Sequence, residues 1–208
     1  MASSAGMTAV PAAAVLIAVA LAFVGAPGVA AEPELAPLVR AAIAGDGEAL
    51  AAIRRAAGEG DLGAQLALAS MRINGLGVEP DRRAGFGWLC LAAHHDRISE
   101  PVVHATWLLA EWFRTGGGLA ERHYEGRSRE HEDPMRAYFW YSVLARMGAR
   151  DVEAGDRAAQ LGGLGQRSVG SMLFAPEREE MAAAAAAWQP WTRPADGETC
   201  LALPGDPP

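Results

Sequence analysis

AGEGDLGAQLALASMRINGLGVEPDRRAGFGWLCLAA, residues 57–93, reads as two helices joined by a glycine-rich turn. Asp61 stands where an N-cap acceptor is wanted, and Ala64, Leu68 and Met71 form one helical stripe behind it. Asn74-Gly75 ends that helix, because glycine takes up the left-handed conformation of a helix C-cap without steric penalty. Beyond Gly77, Asp81 caps a second helix that carries Ala84, Trp88 and Leu91 inward. Small residues at 64, 69 and 84 let the helices approach, and Trp88 fills the wedge between neighbouring pairs. One such pair leaves an apolar flank open, so it requires stacked neighbours.

The neighbours are legible on both sides. Residues 34–44 and 47–57 form two short amphipathic segments, with Leu35, Leu38, Val39 and Ala42 on one stripe and Leu50, Ile53 and Ala57 on the other. Downstream, Ala105, Leu109 and Trp112 take the places of Ala64, Leu68 and Met71, and Gly116 and Gly118 those of Gly75 and Gly77. Asp133-Pro134 then opens a partner helix with Ala137, Tyr138, Tyr141 and Leu144, and Trp140 answers Trp88. Their separation of 52 residues exceeds the usual period of about 34 for helix-pair repeats. Much of the surplus is AERHYEGRSREHE, between Leu119 and Asp133, which is highly charged and expected to be a solvated loop. A further helix from Asp151 is expected to stop at Gly162, Gly163 and Gly165, and a last one spans 177–188. The expected fold is therefore all-α, a short α-solenoid of antiparallel helix pairs with one charged loop insertion. It comprises one domain over 32–191, with a full repeat at about 57–93, a second at about 98–148 carrying the insertion 119–133, and capping helices over 151–188. The Pro/Gly-rich tail, 192–208, is expected to fray or lie on the surface.

Residues 1–31 carry no charged side chain, and Ala12 to Val24 is an unbroken apolar run followed by Gly25, Pro27 and Gly28. That run is too short to span a bilayer, and Val29-Ala30-Ala31 supplies the small residues a signal peptidase reads. Residues 1–31 are thus expected to be a cleaved signal peptide with a periplasmic or secreted product, the alternatives being an uncleaved anchor or an Ala-rich tail that is never exported. No later segment is apolar enough to span a membrane. The formal charge of −7 argues against nucleic acid, which demands clustered cationic groups. In an oxidising compartment the two cysteines, Cys90 and Cys200, either form a disulfide or remain as a small buried residue and a free tail thiol.

The order Gly60-Asp61, Ala64-Gln65, Leu68, Met71, Gly75-x-Gly77-Val78, Asp81, Ala84, Trp88, Ala92-Ala93 resembles the Sel1-like repeat, a relative of the tetratricopeptide repeat. Asp133-Pro134-Met135-Arg136-Ala137-Tyr138-Phe139-Trp140 and the helix from Pro176-Glu177 to Trp188-Gln189-Pro190 look like the C-terminal end of exported bacterial members. The likeness covers roughly residues 45–191. It implies an α-solenoid that binds protein partners, often as a periplasmic adaptor in envelope signalling, envelope assembly or exopolysaccharide export. A cysteine-rich subgroup linked to penicillin binding carries a disulfide in each repeat, a pattern this chain lacks, so that activity is not carried over. The insertion and the small number of repeats also depart from the family pattern and shorten any groove.

No residue pattern argues for catalysis or for a cofactor. Adjacent residues of a helix face apart, so His94-His95-Asp96 suits a helix C-terminus better than a shared ion. His123 and His131, near Glu121, Glu125, Glu130 and Glu132, fit no closed zinc spacing. The Gly162–Gly165 and Gly116–Gly118 clusters follow no strand and contain no phosphate-loop pattern. Aromatic residues crowd the second repeat, and a thin solenoid cannot bury two faces of each helix. One or two of Trp107, Phe113 and Tyr141 are accordingly expected to line an exposed groove for another protein. The competing expectations are a binder of small ligands or cell-wall fragments, hydrolytic or not, and a structural spacer in an envelope complex.

Overall fold

The structure, a computed structural model, describes residues 35–95, 97–116, 133–148, 155–190, 194 and 196–201. The expected signal peptide, residues 119–132 of the insertion and the last residues of the tail lie outside them. Among the described residues the chain is all-α, with nine helices and no strand. These are α1 (Leu35–Ile43), α2 (Gly47–Glu59), α3 (Leu62–Asn74), α4 (Arg82–Ala93), α5 (Glu100–Arg114), α6 (Pro134–Gly148), α7 (Gly155–Gly170), α8 (Ala175–Ala187) and α9 (Gly197–Leu201). None is long and apolar enough to cross a membrane.

Local chemistry sets the boundaries. The carboxylate of Asp46 accepts from the Glu48 and Ala49 N–H groups at 2.9 and 3.1 Å, that of Asp61 from Ala64 at 2.6 Å, and that of Asp81 from Ala84 at 2.9 Å. Gly60 and Gly75 end α2 and α3 at φ 103° and 70°, a region closed to most side chains. Gly77 combines φ 67° with a second restriction, since a Cβ there would collide with the Ala42 carbonyl of α1. The turn of the first full pair is thus seated against the helix before it.

Consecutive helices pack on one another from α1 to α7, and α6 also packs against α8. Ala42, Ala49, Ile53, Ala57, Ala64, Leu68 and Met71 make one core, and a larger one runs from Leu66 through α4–α9. Half-buried Trp88 packs against both, the wedge position its spacing predicts. Ala105, Leu109, Ala137 and Leu144 are fully buried, so the stripes expected on α5 and α6 lie inward.

Two expectations are corrected. Gly162, Gly163 and Gly165 do not stop α7, which continues through them to Gly170. A Cβ on Gly162 would strike the backbone of Ala145 and Tyr141 in α6, and one on Gly165 would strike the Tyr141 ring. These glycines create room for close contact between α6 and α7, which offsets their cost of about 1 kcal/mol each in helix propensity. Nor does the tail wholly fray. Residues 197–201 form α9, which packs on α4 where Gly87 and Gly197 meet backbone to backbone, and Cys200 and Leu201 are buried.

Candidate functional site

Where α5 and α6 face each other at the stems of the insertion, a polar and aromatic base is built. The Asp133 N–H donates to the Phe113 carbonyl at 2.8 Å, tying one stem to the other. The Asp133 carboxylate caps α6 through the Arg136 N–H at 3.0 Å and accepts from the Arg136 guanidinium at 2.6 Å. Both partners are buried, and the guanidinium lies 5.7 Å from the centre of the Phe113 ring. Nearby, the Glu111 carboxylate receives the Arg114 guanidinium and the Tyr141 hydroxyl, both in short contacts. Burial first, and then the bond to Glu111, raises the Tyr141 pKa, so its hydroxyl remains a donor. The Arg114 pKa is raised as well, chiefly by the same carboxylate.

This geometry corrects the expected aromatic groove at Phe113 and Tyr141. Phe113 and Tyr141 are 3% and 1% exposed. Phe113 is covered by Trp112, with ring centres 4.9 Å apart, and by Arg136. Tyr141 is covered by Gly165, whose missing side chain makes room for the ring. Neither can line a surface. Trp107 is half-buried, packs against the larger core and lies 5.5 Å from the His104 ring. The large apolar side chains most exposed among the described residues are Leu164 at 59%, Phe174 at 58% and Ile43 at 42%. Sequence reasoning missed Leu164 because it ended α7 too early. Continued at helical spacing, the stripe that turns Gly162 and Gly165 inward leaves Leu164 outward.

A second centre lies at the end of α4. Cys90 and Cys200 are joined in a disulfide with Cα atoms 5.9 Å apart, stapling α9 to α4. His94, one turn after Cys90 and also buried, accepts from the Trp188 indole N–H through Nε2 at 3.2 Å. Trp140 presents its edge to both rings, 6.4 Å from His94 and 6.2 Å from Trp188. Both sulfurs and one imidazole nitrogen lie within 4.8 Å of one another. In sequence this trio is hidden, since only two of its members are neighbours on a helix. His94 therefore belongs to a buried cluster, while Asp96, His123 and His131 lie outside the described residues.

Two further features bear on chemistry. Burial, and secondarily the charge of Arg157, pushes the His104 pKa down to about 4, so its imidazole is neutral near pH 7. A shallow, mostly apolar depression, with room for little more than a water molecule, is lined by Ile98, Val143, Arg146, Met147, Trp188 and Pro190. Comparison of the chain with protein-family models, with curated proteins and with solved structures returns no match.

Proposed function

We propose that the protein is an exported, non-catalytic scaffold of Sel1-like helix pairs that captures another protein in envelope signalling or assembly, and that the charged insertion 119–133 is its contact segment. The observation that carries the proposal is the polar and aromatic base where the described helices flank the insertion. Buried Asp133 is tied to Phe113 and Arg136, and Glu111 is held by Arg114 and Tyr141, so both stems leave from fixed positions. Long charged loops on rigid supports are where proteins commonly place recognition. Two supports for an α-solenoid of antiparallel pairs are the succession of helix–helix contacts along the chain and the inward stripes of both repeats.

The chain contains no lysine, so amine-reactive crosslinkers have no side chain to attack, and a photo-reactive residue at Tyr124 is the suitable probe. In the native host, one envelope protein should crosslink to Tyr124, and that protein should no longer co-purify with the chain when residues 120–132 are replaced by a Gly/Ser linker of equal length. Helicity and melting temperature should be unchanged by that replacement. An undiminished crosslinked partner at Trp107 or Leu164 in the replaced chain would show that the insertion is not the contact. N-terminal sequencing of the mature protein tests export, with Glu32 expected first.

A further inference from the structure

The geometry points to a redox-gated metal site, in which reduction of the Cys90–Cys200 disulfide yields a Cys90–His94–Cys200 ligand set for a divalent, borderline-soft cation of the zinc class. Cys90 and His94 are separated by four residues at the end of α4, so their side chains lie over one another on one face. Cys200 arrives opposite them on α9. The donor atoms already lie within 4.8 Å of one another. Ligand bonds of about 2.3 Å to sulfur and about 2.0 Å to nitrogen in a tetrahedral site set donor separations of roughly 3.5–3.8 Å. Two cysteine Cα atoms 5.9 Å apart accommodate that spacing with side-chain rotation alone.

The charge count selects the ion. All three residues are buried, and two thiolates with a neutral imidazole cancel a 2+ ion, leaving no net charge out of water. A monovalent ion would leave the site negative. The fourth coordination position is left for water.

The steps balance with a dithiol as reductant. Its first thiolate attacks one protein sulfur and breaks the Cys90–Cys200 bond. Its second sulfur then closes the reductant's own disulfide and releases the second protein thiolate. Two electrons pass to the protein sulfurs, which take up the reductant's two protons as thiols. Metal binding returns those two protons to solvent.

Trp188 is a built-in reporter. An ion on His94 Nε2 displaces the indole N–H directly. An ion on Nδ1 forces the ring proton onto Nε2, which can then no longer accept from the indole. Either way the Trp188–His94 hydrogen bond is lost.

The test uses the full mature chain, reduced and freed of reductant, titrated anaerobically with Co²⁺ and then Zn²⁺. The expected result is one Co²⁺ per chain, with thiolate charge-transfer and tetrahedral ligand-field bands, bleached by Zn²⁺ and absent from the oxidised chain. His94→Gln should weaken Co²⁺ binding by about tenfold or more. Trp188→Phe should keep the bands but remove the accompanying change in emission. Equal binding by the oxidised chain, equal binding by His94→Gln, or no bands at about 100 µM Co²⁺ would overturn the assignment. If reduction lowers helicity, recovery on adding Co²⁺ supports the site, and failure to recover overturns it.

Discussion

Substituting alanine at Gly163 and at Gly165, two positions apart on α7, should move stability in opposite directions. Each replacement removes backbone freedom from the unfolded chain and improves helix propensity, together worth about 0.5–1 kcal/mol. At Gly163 the new Cβ would have the Arg167 guanidinium as its nearest neighbour at 3.5 Å, ordinary contact with a mobile group, so that gain is kept. At Gly165 the Cβ would fall inside the Tyr141 ring. The ring cannot swing away, since it is 1% exposed and its hydroxyl is tied to Glu111. Overpacking of this kind costs about 1–3 kcal/mol, and displacing Tyr141 also breaks a hydrogen bond to a charged acceptor, about 1.5–3 kcal/mol. After the propensity gain, Gly165→Ala should lose about 1.5–5.5 kcal/mol, or roughly 3–20 °C in melting temperature for a chain of this size. Urea unfolding of the protein, followed by far-ultraviolet circular dichroism, measures both variants. A Gly165→Ala protein as stable as the parent would refute the close α6–α7 contact, and equal effects at both positions would refute the face assignment.

Two more outcomes follow from the buried polar groups. Asp133→Ala removes the buried 2.6 Å ion pair with Arg136 and the α6 cap, so it should cost up to about 3–5 kcal/mol in denaturant unfolding, whereas the double variant Asp133→Ala/Arg136→Met should recover part of that loss. His104 has a folded pKa of about 4 against 6.5 unfolded, so the unfolded state binds the extra proton between those values. Its contribution is complete above about pH 6.5 and disappears as pH falls towards 4. The amount is about 2 kcal/mol after allowance for partial exposure, and His104→Gln should flatten that part of the stability–pH curve measured by urea midpoints.

What could be read from the sequence was whatever depends on near neighbours. Asp61 and Asp81 lie three residues before the N–H groups they cap, and Gly75 and Gly77 sit where the chain must turn, so residues 57–93 betray their helices without reference to the rest of the protein. The periodic stripes through Leu68, Leu109 and Leu144 were readable for the same reason. The misreadings came where a distant residue decides the outcome. The Gly162–Gly165 run resembles a helix end until Tyr141 is placed against it, and Tyr141 resembles a surface anchor until Glu111 and Gly165 enclose it. The meeting of Cys90, His94 and Cys200 was equally out of reach, because it depends on α9 returning across more than a hundred residues to α4.

That return changes what kind of surface the protein can offer. In an open stack of helix pairs each unit touches only its neighbours, and the inner curve of the stack is the usual place for a ligand. Here α8 packs back on α6, and α9 reaches α4 and is bonded there. By the chain-entropy argument, a crosslink closing a loop of this length limits the unfolded state by up to about 4.7 kcal/mol. The C-terminal helices thus cover the flank of α4 and α6. They cover the aromatic residues that a longer array would present to a partner, among them Tyr141 under Gly165 and Trp140 beside Trp188. Closed in this way the helices have little inner curve to offer, so on the proposed reading the partner meets the charged insertion 119–133 and the outward faces marked by Leu164 and Phe174.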